Sequence, residues 1–282
     1  MSTPFVAAGL ALAAAACWGA GDFSGGLAAR RSEPLRSVLL IYSVGLAALG
    51  IVALVRQEPV PPPGDLAWGA VAGLFGMVGI IFLFQGFAAG RMGIVAPVSG
   101  VLATALPVAF NALTEGLPDN LKLAGFATAL LSIWLLSRPE RFGTRPAGLG
   151  LAVIAGLCFG SFFITLDQVS KASTFWPLIA GRAASVIVML AFVLVRRRPM
   201  PLEGSPWGLF LLAGVLDVLG NVVFLLAIRN GRLDVASVLA SLYPAVTALL
   251  ARLTIKENVT RLQMLGVSAA MLAIVLVTLP TG

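Results

Sequence analysis

The chain has 282 residues, of which 59% are hydrophobic and 11% charged, with a net charge of +7 and no histidine. A soluble domain of ordinary composition carries about 25% charged residues, so this chain lacks the polar surface to cover a water-exposed globule; with a mean hydropathy of +0.99 it reads as an integral membrane protein. The missing histidine excludes Ser/His and Cys/His catalysis, HExxH metal sites and most zinc chemistry, so neither an enzyme nor any metal or other cofactor is expected.

The first apolar segment, 5–29, is rich in alanine but lacks a basic leader, and is expected to be a retained span instead of a cleaved signal. Nine more apolar segments follow, at 35–55, 66–89, 93–113, 121–136, 147–166, 175–195, 207–228, 235–253 and 264–279, each near the length of about 20 residues that crosses a bilayer. The gaps hold turn residues such as Pro34, Pro61-Pro62-Pro63-Gly64 and Asn230-Gly231. A polar stretch, 137–146, separates the fifth segment from the sixth. Sliding the chain by 141 residues across it lays the second half on the first: Cys17-Trp18-Gly19 falls on Cys158-Phe159-Gly160, Gly79 on Gly220, Gly90-Arg91 on Gly231-Arg232 and Gly125 on Gly266. Five spans per copy is an odd number, so the second copy enters the bilayer from the opposite side. The expected fold is all-α: ten transmembrane helices as a 5+5 inverted repeat, with the first repeat at 1–137, a linker at 138–146 and the second repeat at 147–282.

Within the spans, the four-residue glycine spacings Gly21/Gly25, Gly69/Gly73, Gly86/Gly90 and Gly156/Gly160 read as close helix contacts, and so do the small Cys17 and Cys158. Pro97 and Pro107 in the fourth span and Pro244 in the ninth are expected to bend them, and matching bends can line a cavity.

Several of these features occur together in a known family. Trp18-Gly19 in the first span, Gly90-Arg91 leading into Ala96-Pro97, glutamates closing the fourth and ninth spans (Glu115, Glu257) and the glycine of the next helix (Gly125, Gly266) resemble the EamA-type transporters of the drug/metabolite transporter superfamily. The resemblance covers nearly the whole chain and implies alternating access around a central cavity between two halves. It does not specify the solute, since similar proteins export amino acids, other metabolites and drugs.

Thirteen Lys/Arg flank the spans on the side of the polar stretch (Arg30, Arg31, Arg36, Arg91, Arg138, Arg141, Arg145, Arg196, Arg197, Arg198, Arg252, Lys256, Arg261) against five on the side of the termini (Arg56, Lys122, Lys171, Arg229, Arg232). The positive-inside rule then puts the termini outside, whereas the family resemblance implies cytoplasmic termini. Lying between apolar segments, these cations are expected to meet anionic membrane lipid and not nucleic acid. The expected location is a cell membrane, the plasma or inner membrane of a bacterium, with the chain a monomer or a homodimer.

Charges inside a span cost roughly 2.5–3.5 kcal/mol each on insertion scales, so they are the first functional candidates. Arg182 and Asp217 lie near the centres of the seventh and eighth spans, and Asp22 some five residues past the centre of the first. Arg182 and Asp217 are expected either to pair and fix two helices or to bind opposite ends of a polar or zwitterionic solute, with Asn221 one turn beyond Asp217. Burial favours the neutral form of a carboxylate, which suits proton coupling. Trp18 shares the Asp22 face. Phe23, Tyr42, Phe159, Phe163 and Tyr243 are further aromatic candidates for stacking on a solute, and Gln85, Ser99, Thr104, Asn111, Thr165, Ser237, Ser241 and Thr247 are polar enough to line a path, although back-bonding to the helix is the commoner fate of Ser and Thr. The symmetric Glu115 and Glu257 are gate candidates.

The expected substrate-binding set is therefore Trp18, Asp22, Tyr42, Arg182, Asp217, Asn221 and Tyr243, in a secondary transporter that exports a small organic metabolite or drug. Two other readings compete. A lipid or lipid-linked flippase would use a cavity open sideways. An intramembrane aspartyl protease would use Gly19-Ala20-Gly21-Asp22 with Asp217, but the order of the two aspartates and the repeat both differ from that class, and no strand precedes the glycines as a dinucleotide loop would need.

Overall fold

The computed structural model describes residues 3–89, 92–114, 116, 119–136, 148–170, 172–197, 204–255 and 261–278. Among these the chain forms eleven helices and no strand: α1 Thr3–Arg31, α2 Pro34–Arg56, α3 Pro63–Ala89, α4 Met92–Thr114, α5 Asn120–Leu136, α6 Leu149–Asp167, α7 Phe175–Val195, α8 Trp207–Asn230, α9 Leu233–Ala240, α10 Tyr243–Ile255 and α11 Arg261–Thr278. Seven stretches are long and apolar enough to cross a bilayer, α9 and α10 counting as one, and Val98–Thr114 of α4 is a shorter apolar helix. The molecule is a multi-pass membrane protein. The polar stretch 138–146 lies outside the described residues.

The ninth expected span, 235–253, is not one bent helix. Pro244 has no amide hydrogen, so the Ala240 carbonyl loses its normal partner four residues on. The chain turns at Ser241 and Leu242, where Ser241 N donates to Ser237 O at 2.9 Å and Leu242 N to Leu239 O at 3.2 Å. Helix α10 then starts at Tyr243. The matching span behaves differently, because α4 runs on through Pro97 and Pro107.

The core is rich in small residues alongside large ones such as Phe84, Phe87, Phe210 and Phe224. Ala11, Ala14, Ala28, Ala103, Ala129, Ala152 and Ala155 are fully buried, whereas Leu54 (78% exposed), Leu113 (88%) and Val195 (81%) face outward. Lipid solvates large aliphatic side chains as well as a core does, so stability comes from close backbone approach at small residues. A methyl group at Gly73 would overlap the backbone of Gly181, and one at Gly69 the carbonyl of Pro177, so α3 and α7 cross in direct contact. Gly156 and Gly160 of α6 meet Ser99, Leu102 and Leu106 of α4 in the same way.

The inter-helix contacts come in exchanged pairs. Helix α1 packs on α8 and α3 on α6; α4 packs on α6 and α9–α10 on α1; α3 packs on α7 and α8 on α2; α5 packs on α11. The offset of 141 residues maps each of these pairs onto the next, and α5–α11 onto itself. The agreement extends to atoms: Gly79 makes room for Phe159 and Gly220 for Trp18, while Gly160 lies against α4 and Gly19 against Tyr243 and Val246 of α10.

Gly73→Leu is expected to lower the melting point in detergent by an amount equivalent to at least about 1–3 kcal/mol, because backbone on the other side cannot rotate away. Gly50→Leu, at a site with nothing within 4 Å, should melt like the parent.

Candidate functional site: a central cavity between the halves

Helical spacing places two pairs of residues on common faces. Trp18 and Asp22 stand one turn apart on α1, and Asp217 and Asn221 one turn apart on α8. These four, with Tyr42 from α2, Arg182 from α7 and Tyr243 from the start of α10, border one cavity, so all seven residues expected to bind a solute meet in space. The cavity holds about 700 Å³ of atom-free space, its open mouth included. Its remaining wall comes chiefly from Gly69, Gly73, Gly76 and Ile80 of α3 and from Phe159, Phe162, Phe163 and Leu166 of α6.

Arg182 and Asp217 form an ion pair across α7 and α8. The guanidinium also lies over the Tyr42 ring, 3.9 Å from its centroid, a cation–π contact that tethers α2 to the pair. Gly45 on α2 makes room here, since a methyl there would sit 2.8 Å from Val218. The pair thus does what a structural ion pair does while both members still border the cavity. It also differs from a proton-sharing aspartyl dyad, because an Asp217 oxygen is taken by Arg182. Asp22 is 9% exposed and makes no hydrogen bond or ion pair with a described residue.

The same wall carries an aromatic cluster. The Trp18 ring is 5.7 Å from Phe163, stacked, 6.4 Å from Phe162 and 5.3 Å from Phe224. Phe162 was not singled out from the sequence; the usable signal was its position one turn after Phe159 on the same helix face. The internal repeat exposes further wall residues. Trp18 corresponds to Phe159, Asp22 to Phe163, Asp217 to Gly76 and Asn221 to Ile80, and all eight border the cavity. Equivalent positions line it from both copies, but in three of these pairs only one copy supplies the polar group.

The remaining candidates divide. Tyr243 Oη and Ser99 Oγ are 2.7 Å apart, joining α10 to α4. Thr104, Thr165 and Ser237 donate back to their own helices at 2.9, 2.7 and 2.6 Å, and Thr247 donates to Gly19 O at 3.0 Å. Asn111 Nδ2 and Ser241 Oγ are buried with no partner among the described residues. Phe23 belongs to the core and not to the cavity wall. Gln85 borders a separate groove between α2, α3 and α7, with Met77, Ile81 and Met189. Glu115 and Glu257 lie outside the described residues.

One end of the cavity is bordered by a polar clasp that the sequence did not reveal. Gly69, Leu166 and Leu178 of the wall are each one turn from Asp65, Ser170 and Thr174. Asp65 accepts from Ser170 N at 3.0 Å and from Ser170 Oγ at 2.5 Å. Glu58, on the α2–α3 loop, accepts from Ser173 Oγ at 2.8 Å, Thr174 N at 2.6 Å and Phe175 N at 2.8 Å, capping the N-terminus of α7 from a distant part of the chain. Arg229 at the end of α8 donates to Thr174 Oγ1 at 2.7 Å and to the carbonyls of Ser170 and Ser173. Burial pushes the Glu58 carboxyl up, but the donors of Ser173, Thr174 and Phe175 outweigh it and hold the group below the usual glutamate range.

The sequence profile of the EamA-like transporter family matches residues 6–138 and, a second time, 146–279. The chain belongs to the EamA-like transporter family. A curated relative, an uncharacterised protein of Methanocaldococcus jannaschii, is 25% identical over 131 residues, which span 94% of that protein and 46% of this chain. A solved crystal structure of a protein is similar in fold, with a TM-score of 0.75 at 18% identity over 96% of this chain and 95% of the other. In this EamA-like transporter the matched glycines sit where the two halves meet: Ser132 Oγ of α5 donates to Gly266 O of α11 at 2.7 Å, and Gly125 is buried on α5. Gly90 and Arg91 lie outside the described residues.

Because the folded-state pKa of Glu58 is depressed, its contribution to stability is complete above the ordinary glutamate value and is lost as pH falls through the lowered one. Melting curves of the EamA-like transporter should therefore show an acid-side loss of stability that is smaller in Glu58→Gln. An identical acid limb in both proteins would remove Glu58 from the clasp.

Proposed function

We propose that this chain is a secondary active transporter that exports a small organic metabolite or drug by rocking two inverted five-helix halves, 1–137 and 147–282, joined at 138–146. The observation that carries this reading is the cavity bordered by equivalent positions of both halves, with three charged side chains among the described residues of its wall, all within spans. The exchanged helix contacts support the inverted repeat, and so do the two family matches and a relative about half the length of this chain.

The export direction is read from one end of the cavity. The clasp of Glu58, Asp65 and Arg229 lies on the side of the termini. If the arginine-rich side is cytoplasmic, as the charge count has it, a cavity clasped on the far side is in the state that loads an exporter. Coupling is to a proton gradient or to the solute's own gradient, with Asp22 and Asp217 as the carboxylates in reach of the path. The glycine contact of α3 with α7 supports a solute path over a groove open to lipid. The setting is a plasma membrane, the inner membrane in a bacterium, with the chain as a monomer or homodimer surrounded by lipid.

Asp217→Asn and Arg182→Ala should each abolish solute-dependent transport in liposomes while the protein still elutes as a folded species in detergent; unchanged transport would remove the pair from the path. The solute is found by thermal shift of the purified protein across amino acids, nucleosides, amines and sugar phosphates.

A further inference from the structure

We propose that the solute is an organic monocation with an aromatic or alkyl body, for which Asp22 is the counter-ion; this rests on the transporter reading above and narrows its substrate class. Three charged side chains border the cavity, Asp22, Asp217 and Arg182. Arg182 and Asp217 satisfy each other, and the exposed face of the guanidinium is covered by Tyr42. The wall is left with one carboxyl that lacks a counter-ion, on a side chain only 9% exposed that has no hydrogen-bond or ion-pair partner among the described residues.

An ionised carboxylate removed from water without a partner costs several kcal/mol. The rest of the wall gives Asp22 no bonded partner: Asp217 is itself acidic, the Tyr243 hydroxyl is paired with Ser99, the Tyr42 ring is under Arg182, and the remaining neighbours include the rings of Trp18, Phe159, Phe162 and Phe163. The same rings are what a cation seeks: their faces carry the negative pole of the quadrupole and their carbon surface fits an apolar body. Charge and wall therefore select the same solute.

Two other occupants fit less well. A hard metal ion needs about six oxygen ligands, and among the described residues no group of three or more His, Cys, Asp or Glu could hold one. A zwitterion would bring a second carboxylate to a wall whose single cation is already engaged by Asp217. The internal repeat also gives the cavity a direction, since the position equivalent to Asp22 is Phe163. One pole takes the charge and the other the body.

The test is equilibrium binding and thermal shift on the purified full chain with near-isosteric probes: phenethylammonium and benzyltrimethylammonium, phenethyl alcohol, phenylacetate, and sodium chloride alone. The ammonium probes should bind at least about tenfold more tightly than the alcohol, the scale of a charge-assisted contact, with phenylacetate weakest. Asp22→Asn should erase the preference for ammonium over alcohol while the unliganded melting point does not fall. The comparison among probes on the unmodified protein decides the matter even if the variant does not fold. Equal binding of alcohol and ammonium, tightest binding of phenylacetate, or an equal shift from sodium alone overturns the proposal. In each of those cases the transporter reading survives if a solute of another charge class is carried and Asp217→Asn stops it; if no solute in the wider screen is bound or carried, both fail.

Discussion

A charge within a bilayer must be compensated or hydrated, at roughly 2.5–3.5 kcal/mol per side chain if it is not. The centre of this molecule is arranged around that constraint. Arg182 on α7 has Asp217 on α8 as its ion partner and the Tyr42 ring of α2 as its face partner. Three helices are thereby obliged to converge, and they can do so because Gly45 and Gly214 on one side and Gly73 and Gly181 on the other leave backbone in contact with backbone. The ion pair needs the glycines to form, and the glycine contacts gain their register from the pair.

The duplication supplies a second layer of organisation. Equivalent positions of the two copies line the same cavity, so its shape follows from an exchange of halves. Its chemistry does not. Asp22 faces a cavity to which the second copy contributes Phe163, and Asp217 and Asn221 stand where the first copy has Gly76 and Ile80. The frame is related by the repeat, and the side chains that give the cavity its charge are not.

One end of the path carries polar ties between helices. At the side of the termini, Glu58, Asp65 and Arg229 tie the α6–α7 loop to the starts and ends of three other helices. These bonds are polar and lie at the ends of the spans, where exchange with water offsets much of the cost of losing a hydrogen bond.

Much of this was legible in the residues. The apolar runs placed the helices closely: 5–29 became Thr3–Arg31, and 207–228 became Trp207–Asn230. In lipid every backbone group must be satisfied within its own segment, so a long apolar run has little choice but helix. The internal offset paired Gly79 with Gly220, and both make room for the equivalent ring. Position within a span was enough to nominate Asp22, Arg182 and Asp217, because a charge there is costly unless it is paired or hydrated. Three things needed the tertiary structure. The break at Ser241 could not be told from a bend by the proline alone, since α4 carries Pro97 and Pro107 without breaking. The clasp joins Glu58 to residues 115 to 117 positions away, a separation at which local pattern carries no signal. And whether Arg182 meets Asp217 or a solute, leaving Asp22 alone, is decided by the rotation of each helix about its own axis. Composition and periodicity determine that a helix exists and how deep each residue lies, but only the packing of its neighbours determines which way that residue turns.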